Sequence, residues 1–141
     1  MPKKSTSNLE NELKKSVSIE VFLQEHQEEL TVSDLPTQLQ ALIESKGLTK
    51  ADVVKESNLN EIYAYQILSG ARKPSRDKLL AVCFAMKATL DETQTLLRQS
   101  GFAPLYVKNR RDSIIIFALA HEHTIIQLNS ALYDHGEAVV E

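Results

Sequence analysis

One cysteine, no tryptophan, four glycines and four prolines are found in a chain of 141 residues. The lone Cys83 excludes a disulfide or a cysteine-based metal cluster within one chain, and this usage fits a reducing, cytoplasmic setting. No apolar run approaches the roughly 18 to 20 residues that span a bilayer, and "MPKKSTSNLENELKK" lacks the apolar stretch of a secretory signal. The expectation is a cytoplasmic protein with no membrane partner. Glycine and proline are scarce and no period-two alternation is sustained, so the pattern is helical throughout and the fold class expected is all-α. A glycine-rich phosphate loop, a Cys/His pair in catalytic context and convincing paired acids are also missing. Neither an enzyme nor a cofactor is expected.

Charge of one sign is lacking only at the C-terminal end. The chain carries a formal charge of -3, with 43% apolar and 25% charged residues, which are ordinary globular values. Residues 1–33 hold four Lys/Arg against six Asp/Glu, residues 34–112 twelve against nine, and residues 113–141 none against four. A mildly basic centre between acidic ends can meet a polyanion through one face.

Three segments follow from the pattern. Residues 1–33 read as an N-terminal, partly helical arm, with one helix around Leu9 and Leu13 and a second over Ile19 to Leu30 carrying Val21, Phe22 and Leu23. Residues 34–100 hold five helices. Ser33 or Asp34 caps the first, with Pro36 in its opening turn and Leu35, Leu39, Leu42 and Ile43 on one face. Thr49 caps a short second helix with Val53 and Val54 inward, and Asn60 caps a third that runs to about Ser69 and stops at Gly70. Between them Asn58 suits a tight turn, because asparagine tolerates the left-handed backbone conformation. Ser75 or Asp77 opens the fourth helix, with Leu79, Leu80, Cys83 and Phe84 inside, and the fifth carries Leu96 and Leu97 to Gly101. Residues 101–141 form a C-terminal extension, a helix pair built from Ile114 to Ala120 and from Ile125, Ile126, Leu128 and Leu132.

Two short helices joined by a tight turn, the second followed by basic residues, match helix-turn-helix geometry, in which the second helix enters the DNA major groove. The stretch "GLTKADVVKESNLNEIYAYQILSGARKPSRDKLLAVCFAM" resembles the Cro/C1-type helix-turn-helix family of bacterial and phage repressors over about residues 35 to 97. The resemblance rests on "GLT" before the first motif helix, on Val53, Leu59, Ala64 and Ile67, on the "SG" ending and on "RKPSRDKLLA". Lys50 stands where that family often has glutamine, Asn58 where it has glycine and Val54 where it has alanine. "APLYVKNRRDSIIIFALAH" is similar to an extension of small bacterial regulators of this kind. The resemblance implies a five-helix DNA-binding domain with its recognition helix at about residues 60–69, double-stranded DNA as partner, and action as a transcriptional regulator, for example a repressor.

With Leu59, Ala64 and Ile67 turned to the preceding helix, Asn60, Glu61, Ile62, Tyr63, Tyr65 and Gln66 remain as candidate readers of DNA. Gln66 can bond adenine bidentately, Glu61 can accept from cytosine N4 and Ile62 can touch a thymine methyl. Lys50, Arg72, Lys73 and Arg76 are expected on phosphates to either side. The alternative is a helix-turn-helix scaffold used for protein contacts, as an adaptor or antitoxin-like partner, with Tyr63, Tyr65 and the acidic ends meeting another protein. A homodimer through residues 113–134 is the further expectation, since that run is apolar over more than one helix face. The helix bearing Val21, Phe22 and Leu23 is the competing cover for that surface. His121, His123 and His135 read as helix-end histidines favoured by the dipole, not as metal ligands.

Overall fold

Each helix in the sequence pattern needs a side chain to serve its first free backbone N–H groups. In the computed structural model, which describes residues 34–141, seven side chains do so: Asp34, Thr49, Asn60, Ser75, Thr89, Asn109 and Thr124. They open helices α1 (Leu35–Ser45), α2 (Lys50–Glu56), α3 (Glu61–Ser69), α4 (Arg76–Ala85), α5 (Leu90–Gln99), α6 (Arg110–Ala120) and α7 (Ile125–Asp134). Every regular element among the described residues is therefore α-helical, as composition predicts. Each such cap is worth about 1 kcal/mol. The two helices expected before Ser33 lie outside the described residues.

Three of the connections share one construction. Gly47, Lys87 and Glu122 each take a left-handed φ just past a helix, and the next residue's N–H reaches back to close the helix, as in Ala88 N–H to Cys83 O at 2.9 Å. A threonine then caps the following helix with a reciprocal bond from the third helical residue, Asp52, Glu92 or Gln127. α1 joins α2, α4 joins α5 and α6 joins α7 in this way.

α4 is the axle of the fold. Its residues Leu79 to Ala85 are all buried, which is what a helix apolar all round requires, and it packs against α2, α5 and α7. Burial pushes the Cys83 thiol on this helix up to about 12, so the side chain behaves as a small apolar group. α6 and α7 pack on each other and contribute Ile115, Ala118, Leu119, Ile125, Leu128 and Leu132 to the core. Asp34–Glu141 form one compact unit, with no separation at residue 101.

Two Arg-Asp dipeptides within that unit bind α4 to α6. Arg76 holds Asp112 at 3.2 and 3.1 Å, while Arg111 holds Asp77 at 3.0 and 2.8 Å. The N-terminus of α4 and the N-terminus of α6 thus exchange reciprocal bidentate pairs. Gln94 adds two bonds to the backbone of Leu105. Among the described residues no helix is long and apolar enough to cross a membrane.

Candidate nucleic-acid interface

The turn between α2 and α3 fixes everything that follows it. Ser57 is buried, its hydroxyl donating to Val54 O at 2.8 Å and accepting from Leu59 N–H at 3.2 Å. Asn58 then takes φ +58, the left-handed conformation the sequence predicts for it. Asn60 accepts from Tyr63 N–H at 3.1 Å, so its carbonyl oxygen is occupied in capping α3.

α3 buries Ala64, Ile67 and Leu68, and Leu59 packs partly buried beside them. This leaves Glu61, Ile62 and Tyr65 exposed and Tyr63 and Gln66 half-buried. Ile62 keeps 70% of its surface in solvent. The helix ends at Gly70, whose φ of +87 and whose 2.7 Å gap between an ideal Cβ position and Pro36 Cγ both demand glycine. That close approach sets the end of α3 against the start of α1.

The cations divide into two groups. Lys50, Arg72 and Lys73 are exposed around α3, and neither lysine makes an ion pair among the described residues. Arg72 donates through Nε to Gln66 Oε1 at 3.1 Å and lies 4.8 Å from the centroid of the Tyr63 ring. Arg76 departs from expectation. Its guanidinium turns inward to Asp112 and also donates to Ala103 O and Pro104 O at 3.0 and 3.3 Å. With four of its five N–H donors used inside the protein, it joins two parts of the fold and is withdrawn from the exposed cations.

Comparison with protein-family models, with curated proteins and with solved structures returned no match.

Lys78 belongs to the site although the sequence pattern does not single it out. Its Nζ is 5.0 Å from the Tyr63 centroid, so two cations attend one ring. A signal exists in hindsight: a lysine three residues after the Ser75 cap opposes the helix dipole and needs compensation nearby. Glu61 makes no ion pair among the described residues and stays exposed at the start of α3.

His121, His123 and His135 lie at or just beyond helix ends. His121 ends α6 with Nδ1 2.9 Å from Phe117 O and its ring stacked at 3.9 Å on Phe117. His123 lies in the following loop, 5.9 Å from the His121 ring, and His135 caps α7.

Proposed function

We propose that the chain is a sequence-specific DNA-binding transcriptional regulator of Cro/C1-type helix-turn-helix architecture, with α2 and α3 as the motif and α3 entering the major groove. The observation that carries this reading is the pairing of a solvent-facing α3 surface rich in hydrogen-bonding groups with three exposed cations around it. Such a division suits base edges in the groove and phosphates at its rims. Glu61, Ile62, Tyr65 and Gln66 face the bases, and Lys50, Arg72 and Lys73 hold the backbone. Asn60 and Tyr63 support that surface, one as a cap and the other as a platform for Arg72.

A single motif covers one half-site, so pairing of two copies across a pseudo-palindrome is the second part of the proposal. Phe117, Ile126 and Tyr133 within residues 113–134 stay exposed, Tyr133 by 78%, while Ile115, Ala118, Leu119, Ile125, Leu128 and Leu132 of the same segment enter the core. The competing cover, the helix bearing Val21, Phe22 and Leu23, lies outside the described residues.

Binding to random duplex DNA followed by selection, at two salt concentrations, tests the proposal. Enrichment of one short sequence is expected, with affinity falling steeply as salt rises. Lys50→Ala and Lys73→Ala should each lower the salt slope by about one unit without changing the selected sequence. Absence of any DNA binding at low salt would leave the protein-interaction scaffold as the reading. Sedimentation of the full chain against a Phe117→Glu/Tyr133→Glu variant tests pairing; a monomer at every concentration removes the dimer and leaves the DNA reading standing.

A further inference from the structure

The end of α3 and the loop beyond it meet in one cluster. Arg72 reaches back to Gln66 twice, from its backbone N–H to the Gln66 carbonyl at 3.2 Å and from Nε to Oε1 at 3.1 Å. Its guanidinium is held at the Tyr63 ring, which Lys78 approaches as well. Arginine carries donors only, so the amide end that faces it must be the oxygen. The amide of Gln66 is thereby fixed: Nε2 is directed away from Arg72 as a donor, and Oε1 keeps a second lone pair. Glutamine reads adenine only in one order, with Oε1 accepting from N6 and Nε2 donating to N7. A free amide must lose rotamer freedom to reach that order, whereas here the ordering precedes binding.

We infer that Arg72 is a specificity-determining positioning residue, which locks the Gln66 amide for adenine while Tyr63 holds Arg72 in place. The inference rests on the DNA reading proposed above and assigns Arg72 a role beyond phosphate attraction. Lysine cannot substitute. Its ammonium is a point charge on a flexible stem, without the Nε–H or the planar face that the cluster uses.

Selection from random duplex DNA with the full-length wild type, Arg72→Lys, Gln66→Ala and the double variant separates the possibilities. The wild type should select adenine at one position that Gln66→Ala relaxes. Arg72→Lys, which keeps the charge, should lose preference at that same position by about tenfold, with affinity for the selected sequence falling accordingly and binding to unrelated duplex falling by less. The double variant should match Gln66→Ala alone, because the lock has nothing left to act on. A charge-only or purely structural role for Arg72 would not move base preference. An Arg72→Lys protein that selects the wild-type sequence with undiminished preference overturns the inference and leaves the DNA reading intact, as does a loss at some other position. A wild type that selects no sequence overturns both.

Discussion

Arg76→Ala separates an internal role from a phosphate contact more sharply than any other single substitution. The side chain makes four hydrogen bonds, two to the Asp112 carboxylate and two to the carbonyls of Ala103 and Pro104. Its removal leaves Asp112, buried at 10% side-chain exposure, with the Tyr106 N–H but without a counter-charge. Breaking a fully buried pair from one side costs about 3 to 5 kcal/mol. Arg76 retains 24% exposure, so water reaches part of the site and the expected loss is about 2 to 3 kcal/mol. For a folded unit of this size that lowers Tm by roughly 8 to 12 °C. Thermal unfolding by circular dichroism on the full chain measures it. Lys73→Ala, an equal change of charge on an exposed neighbour, serves as control and should stay within about 0.5 kcal/mol of wild type. The double variant Arg76→Ala/Asp112→Ala should be less destabilised than the two singles combined, by about 1.5 kcal/mol or more. An Arg76→Ala protein that melts with the wild type while binding DNA more weakly, with a shallower salt slope, would refute the reasoning and return Arg76 to the phosphates.

Two further predictions concern backbone and charge. Asn58 at φ +58 should accept glycine with little change, whereas Asn58→Val should destabilise by about 1 kcal/mol or more, since a β-branched residue resists that conformation; equal melting temperatures for all three would show that the turn carries no such strain. Burial raises the Glu92 carboxyl, but the Thr89 N–H and the Lys46 ammonium at 2.9 Å outweigh it and hold the group below its ordinary value. A depressed folded pKa contributes stability above the unfolded value and loses it as pH falls through the folded one. Glu92→Gln should therefore be less stable than wild type near pH 7, with the gap closing below about pH 4. Denaturant titrations across that range check the sign, and a gap independent of pH would mean that the charge of Glu92 contributes nothing.

Much of the local architecture is legible in the chain. Thr49, Asn60 and Gly70 announce their helix ends through side-chain oxygens or conformational freedom that act within a few residues. Asn58 is legible for the same reason. The start of α6 is less so, because the apolar run begins at Ile114 while the Asn109 cap opens the helix at Arg110. The recurrent connection after α1, α4 and α6 is hidden as well. Its left-handed position is glycine once and a charged residue twice, so no residue type marks it, and the surrounding bonds alone hold Lys87 and Glu122 there.

The sequence by itself determined the helical class, most caps and the apolar stripes, since these depend on periodicity and on contacts between residues near in the chain. It also brought Glu61, Ile62, Tyr65 and Gln66 onto one surface, because a helix that buries Ala64 and Ile67 must show those positions elsewhere. Only the tertiary structure decided the fate of each cation. Arg72, Lys73 and Arg76 look alike in "ARKPSRD", and their surroundings tell them apart. A carboxylate 36 residues downstream takes Arg76 inward, a ring and an amide on α3 hold Arg72, and Lys73 finds no ion-pair partner among the described residues. Long basic side chains reach several ångströms in many directions, so their partners are set by which helices the core brings together.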